Sequence, residues 1–150
     1  MSAAAGKLME THSKGAEIHR GDISKVKTVE LLEEFSLPKG LLPVDEIQEL
    51  GFNRGTGFVW LKMKKKKEHK FKSIGQTVIY NVEITGFLEK GHFSKLTGVK
   101  AKELLLPVVV CDILVGDPSP DMIKFTAPVG LSRSYPLSAF AAEEAANAAK

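Results

Sequence analysis

The 150-residue chain is predicted to be mainly β, an antiparallel β-roll or barrel with one N-terminal α-helix packed on it. Three observations carry that expectation. In Thr77–Thr85, Val78, Tyr80, Val82 and Ile84 alternate with Thr77, Asn81, Glu83 and Thr85, leaving only Ile79 out of phase. That period of two belongs to a half-buried antiparallel strand. From Gly57 to Tyr135 apolar runs return at hairpin spacing, divided by glycine, proline and aspartate turns. A helical period occurs before them and not between them, which argues for a roll, barrel or sandwich.

In chain order, residues 1–22 are polar and aperiodic and read as a disordered arm. The single domain is expected over 23–140. Its helix starts near Ser24, a residue able to cap, and places Val26, Val29, Leu32 and Phe35 on one face with Leu31 beside them. It must end before Pro38, which lacks an N–H and pushes its predecessor out of the helical region. LPKGLLP, Leu37–Pro43, reads as a loop pinned on the core by its leucines. Asp45 would cap a short turn through Ile47 and Leu50, closed by Gly51.

Gly55-Thr56-Gly57 reads as a hairpin turn leading into the strand Phe58–Leu61. Gly86 suggests a bulge, and Glu89-Lys90-Gly91 a tight turn into His92-Phe93. A long apolar strand is expected from about Glu103 to Val115, with Pro107 imposing an edge position or a kink. Asp117–Asp121 is a turn, and Met122–Ala127 and Leu131–Tyr135 are the closing strands. Residues 141–150 form an alanine-rich tail, either a frayed helix or disordered.

Composition sets outer limits on function. The 43% apolar and 26% charged shares are those of a globular domain. The opening residues hold no apolar signal core, Ser2 stands where myristoylation needs glycine, and the end is no prenylation box. The longest apolar run, Leu104–Cys111, is far short of the ~20 residues of a membrane span. The expectation is a cytoplasmic monomer with no transmembrane segment, able to sit peripherally at membranes. One cysteine, Cys111, excludes an intrachain disulfide, and its apolar surroundings predict a buried structural thiol.

No catalytic signature is present: no G-x-S-x-G, H-E-x-x-H, Walker loop or C-x-x-C. His12, His19, His69 and His92 lack ligand spacing, and Asp112, Asp117 and Asp121 read as turn residues before cation ligands. Trp60 reads as core. No catalytic residue, metal ligand or cofactor is assigned.

One segment stands apart. KMKKKKEHKFK, Lys62–Lys72, holds seven lysines: Lys62, Lys64, Lys65, Lys66, Lys67, Lys70 and Lys72. The chain has 21 basic and 18 acidic residues, but without those lysines and Glu68 the remainder has 14 and 17. The positive balance thus belongs to this segment. In an extended arm the even positions, Lys62 to Lys72, share one face, and Met63, Lys65, Lys67, His69 and Phe71 the other. It is a solvated hairpin tip that deters edge pairing, or a contact for an acidic lipid surface, an amphiphile or an acidic protein. Nucleic acid is disfavoured because aromatic interleaving is limited to Trp60 and Phe71.

Six ordered segments carry a family resemblance: LPKGLLP (Leu37–Pro43), GFVWL (Gly57–Leu61), TGFLEKG (Thr85–Gly91), LTGVKAKELL (Leu96–Leu105), DILVGDPSPDMIKF (Asp112–Phe125) and GLSRSYPLSAF (Gly130–Phe140). In this order they resemble the plant family known as domain of unknown function 538, in particular its SVB-like ("smaller with variable branches") branch, named for a trichome phenotype. The resemblance spans about residues 24–140. It implies a mainly-β roll or barrel, likened to half of a bactericidal/permeability-increasing lipid-binding domain, and hence an apolar cavity. Some members carry a cysteine after the strand matching Phe58–Leu61, where this chain has lysines, and some carry a signal peptide.

The function expected is a non-enzymatic binding module that associates with acidic lipid surfaces or an amphiphilic ligand, in plant development or stress signalling. The family resemblance also implies an alternative, hydrolysis of lipid or pigment esters, for which no residue here matches a motif. A third reading is an adaptor for an acidic protein partner.

Overall fold

The computed structural model describes residues 12–43, 46–103, 106–128 and 130–140. Its strands are β1 Glu17–Arg20, β2 Ile47–Phe52, β3 Phe58–Met63, β4 Lys67–Phe71, β5 Gln76–Glu89, β6 His92–Glu103, β7 Leu106–Val109, β8 Asp112–Val115, β9 Met122–Thr126 and β10 Ser132–Pro136. One α-helix, α1 Ile23–Glu34, and a 3₁₀ turn, Lys39–Leu41, complete the described elements. The fold is mainly antiparallel β with an N-terminal helix packed on it, as expected. The sheet runs β1-β2-β3-β5-β6-β8-β9-β10, with β4 added to β5 and β7 to β6. Its end strands β1 and β10 do not pair with each other, so the roll is open and not a closed barrel.

The two long strands β5 and β6 split the sheet into two regions. Their turn-side halves pair outward to β3 and β8, through Phe58↔Phe87 to Lys62↔Glu83 and through Phe93↔Ile113. Their far halves pair instead to β4 and β7, through Tyr80↔Lys67 and Lys100↔Val109. Between these regions β5 makes an excursion: Tyr80 faces Val99 and Thr85 faces Thr97, so four residues of β5 oppose one of β6. Gly98 is that one residue. Its φ is +83°, and a Cβ there would lie 2.1 Å from the Glu83 carbonyl oxygen, so only glycine lets the excursion fold back.

α1 covers the turn-side region. Leu31 and Leu32 join Leu37, Leu41, Leu50, Phe52, Val59, Leu61, Ile84 and Phe93 in one core. A void of about 20 Å³ beneath the helix would admit roughly one water, so this end is filled.

Several expectations are corrected. Glu17–Arg20, placed in the disordered arm, form β1 against β2; residues 1–11 of that arm and 141–150 of the tail lie outside the described residues. Ser24 does not cap: it lies inside α1, fully buried, and donates to the His19 carbonyl at 2.9 Å. The buried face of the helix is Ser24, Thr28, Leu31 and Leu32, while Val26 is 57% exposed. The turn expected through Ile47 and Leu50 is strand β2, and Asp45 lies outside the described residues. A register shift between Ile47 and Glu49 leaves Ile47 and Leu50 facing the same way three residues apart, which imitates a helical step.

The expected strand Glu103–Val115 is two strands parted at Val110-Cys111, and β7 is an edge, as Pro107 requires. Cys111 therefore sits in a break, half-buried, with its Sγ 3.4 Å from the Thr126 carbonyl oxygen. Val82, expected inward, is 43% exposed because it rides the β5 excursion. The register also shifts between Thr85 and Phe87, where a bulge at Gly86 was expected.

Candidate functional site

The other end of the roll is hollow. A cavity of about 430 Å³ lies between the β4–β5–β6–β7 region and the β9–β10 ribbon, a size within the usual range of ligand pockets. The strand register explains its wall. Phe71, Val78, Tyr80, Val99, Ala101 and Val108 lie on one face of four adjacent strands, since Val78 pairs with Ala101 and Ala101 with Val108. Across from them stand Phe125 on β9 and Tyr135 and Arg133 on β10, with Arg133 paired to Phe125. Phe140 packs between the two sides, its ring 5.2 Å from Phe71 and 5.7 Å from Phe125. Tyr80 anchors the floor: its hydroxyl donates to the Leu41 carbonyl at 3.0 Å.

The β10 side meets the β5–β6 side through side chains, where the backbone ladder is absent. Arg133 Nε donates to Glu103 Oε1 at 2.6 Å, and the Tyr135 hydroxyl lies 3.3 Å from Gln76 Oε1. Gln76 Nε2 in turn donates to the Lys102 carbonyl at 2.8 Å. All four side chains line the cavity, and they supply most of its polar groups. The hydrogen bond to Glu103, reinforced by its charge, holds the Arg133 guanidinium still more firmly charged than usual. Burial pushes the Tyr135 phenol up; the Glu103 charge adds to this and Arg133 opposes it. Tyr135 is thus a neutral donor at physiological pH.

Apolar side chains collar this seam. Leu131 and Val109 line the cavity yet are 66% and 41% exposed, and Leu106, paired with Glu103, is 68% exposed.

The lysine segment is dispersed by the fold. Met63, 5% exposed, and Phe71, 2% exposed, turn inward, so the expected odd–even division holds for these two. Lys62 ends β3 with its Nζ 3.7 Å from Glu49 Oε2. Lys64, Lys65 and Lys66 form the exposed β3–β4 bend and have no ion pair among the described residues. Lys67 begins β4 opposite Tyr80 and is half-buried. Lys70 and Lys72 are exposed on either side of Phe71, at the end of β4 that reaches the cavity. Glu68, between them and the bend, is held by Lys102 at 2.6 Å. The seven lysines are therefore not one site: a tip of three and a pair at the cavity wall lie at opposite ends of β4.

Other sequence candidates take structural places. Trp60 is buried, stacked over Gly51 where a Cβ would lie 2.0 Å from its ring, and its Nε1 donates to Glu49 at 2.8 Å. Asp117 meets Lys124 at 3.4 Å and Asp121 accepts from Ser119 at 2.7 Å. His92 and Asp112 pair at 2.7 Å between β6 and β8. Sequence reading missed Arg133, Glu103, Tyr135 and Gln76. The one available signal was the alternation of Arg133 and Tyr135, which puts both on one face of a strand.

Fold and site together define a mainly-β protein with an apolar cavity closed by a polar seam. The chain belongs to the family described as "Protein of unknown function, DUF538", whose model matches residues 28–141. No curated protein and no solved structure matches it.

Proposed function

We propose that the protein is a non-enzymatic binding module for an amphiphile, whose apolar part occupies the cavity between β4–β7 and β9–β10. The observation that carries this reading is a cavity of about 430 Å³ with a predominantly apolar wall and most of its polar groups gathered at one seam. An amphiphile has that same division. The exposed lysines add a weaker, steering attraction to acidic lipid surfaces. Each lysine near an anionic leaflet contributes about 1 kcal/mol, so three or four give roughly 3–4 kcal/mol, an affinity near millimolar. The cavity supplies the hold that the charges lack. Action in plant development or stress signalling, at a cytoplasmic membrane face, is part of the same proposal. Among the described residues no helix is long and apolar enough to cross a membrane.

The test is titration with a conjugated-polyene fatty acid whose fluorescence rises in apolar surroundings. A probe of about 20 non-hydrogen atoms at about 0.3 kcal/mol per atom should bind in the tens of micromolar. Saturable binding, displaced by an unlabelled fatty acid, is expected. Salt-sensitive sedimentation with anionic vesicles should be lost when Lys64 to Lys67 are all changed to glutamate, while probe binding persists. Absence of saturable binding would remove the cavity from the explanation.

A further inference from the structure

We infer that the Arg133–Glu103 seam is the head-group subsite of this cavity and selects a single-chain amphiphile with an anionic head, a carboxylate or a phosphate. The inference rests on the amphiphile reading above and adds the chemical class of the ligand.

Position comes first. The side chains of Arg133 and Glu103 are 62% and 30% exposed, yet both line the cavity. They stand at the boundary between apolar interior and water, where the head of a bound amphiphile must lie. Donor capacity comes second. Only Nε of the Arg133 guanidinium is engaged among the described residues, through Glu103. Its two terminal amino groups are left for a planar or tetrahedral oxyanion, which the fork matches by paired N–H donors. The neighbouring Tyr135 donates its one O–H to Gln76 Oε1, so the free donors at the seam are those of the guanidinium.

Charge decides the sign. Glu103 is the one acid among the described lining residues, and Arg133 already offsets it. Lys70 and Lys72 bracket the wall residue Phe71 without ion pairs among the described residues, which leaves the cavity end of β4 positive. A cationic head would meet that surplus; an anionic one relieves it. Size sets the chain count, because about 430 Å³ lies in the lower part of the ligand-pocket range. On binding, the anion is held by the two terminal amino groups and competes with Glu103 for the guanidinium charge.

The experiment compares three probes with one polyene chain: the free acid, its monophosphate-headed counterpart and its methyl ester. The wild-type protein should bind both anions at least tenfold more tightly than the ester. Arg133→Gln should erase that preference, so that within this variant the anions bind no more tightly than the ester; Arg133→Lys should restore only part of it. Glu103→Gln, which removes the competing carboxylate, should widen the ratio of anion to ester affinity severalfold. A preference for one anion over the other identifies the head as carboxylate or phosphate. Equal binding of acid, phosphate and ester by the wild type overturns the head-group assignment while leaving the cavity reading intact. Binding of none of them overturns both. Circular dichroism and thermal melting of each variant identify any loss of binding that comes from unfolding, and the ratio of anion to ester affinity within each variant serves as the internal control.

Discussion

Glu49 shows how a single carboxylate can tie the outer face of the sheet to pH. It is nearly covered, its side chain 16% exposed, yet it accepts from Trp60 Nε1 at 2.8 Å and from Arg20 Nε at 2.9 Å, with Lys62 at 3.7 Å. Burial raises its pKa and is the largest single influence, but the Trp60 and Arg20 hydrogen bonds and the Lys62 and Arg20 charges together outweigh it and leave the value lowered. A carboxylate with a depressed native pKa binds fewer protons folded than unfolded, so its stabilisation is complete above the unfolded value, about 4.3. It is lost as pH falls through the lower folded value. Glu49→Gln should therefore flatten the acid limb of the stability–pH curve below about pH 5, measured by urea unfolding at a series of pH values. Trp60→Phe should flatten it in part. An unchanged acid limb in both variants would show that Glu49 is not held as an anion. None of this was legible in the sequence, because Glu49 and Trp60 are eleven residues apart and meet only through the β2–β3 register.

At the scale of elements, legibility followed regularity. β3, the start of β5, the Lys90-Gly91 turn and the two closing strands keep the period of two and were readable. β2 was hidden by the register shift at Gln48, and β6 by Gly98 and by Lys95, whose positive φ of 50° breaks the alternation. The helix was found, with Leu31 and Leu32 buried and Phe35 against the core as expected, but Val26 faces water. Its buried stripe begins with Ser24 and Thr28, whose hydroxyls are satisfied by the His19 and Ser24 carbonyls and so can be buried cheaply, a fact hydropathy does not carry. β4 makes the structural role of the lysines concrete. It pairs only with β5 among the described strands, leaving an edge, and unpaired edges invite pairing with other chains unless charged. Lys66→Val together with Lys70→Val should leave urea stability within about 0.5 kcal/mol and raise the aggregation rate, followed by light scattering. No rise in aggregation would free these lysines from the edge-guard role and leave partner contact as their main purpose.

Across the whole molecule, one core serves two ends of different character. Under α1 the roll is packed to within about one water, while the β4–β7 and β9–β10 end holds about 430 Å³. The hollow was legible only as an implication of family resemblance. Its wall is drawn from strands far apart in the chain, and an apolar face reads the same whether it meets side chains or a void. The seam was illegible for the same reason, since Arg133 meets Glu103 across thirty positions and Tyr135 meets Gln76 across fifty-nine. A hollow end costs stability, because lining atoms lack partners. Filling it should return that stability at the expense of binding. Ala101, half-buried in the wall between Val78 and Val108, is the position to enlarge. Ala101→Phe should raise the unliganded stability by about 0.5–2 kcal/mol, as cavity-filling substitutions do, or roughly 1–8 °C for a chain of this length. The wild type should instead gain about 2.7 kcal/mol from an amphiphile at a hundredfold excess over its dissociation constant, a shift of roughly 5–10 °C, and the variant should gain almost none. Both shifts are read by scanning calorimetry with and without the polyene acid. If Ala101→Phe lowers the melting temperature, the side chain has been forced into occupied space, and this end of the roll closes in solution.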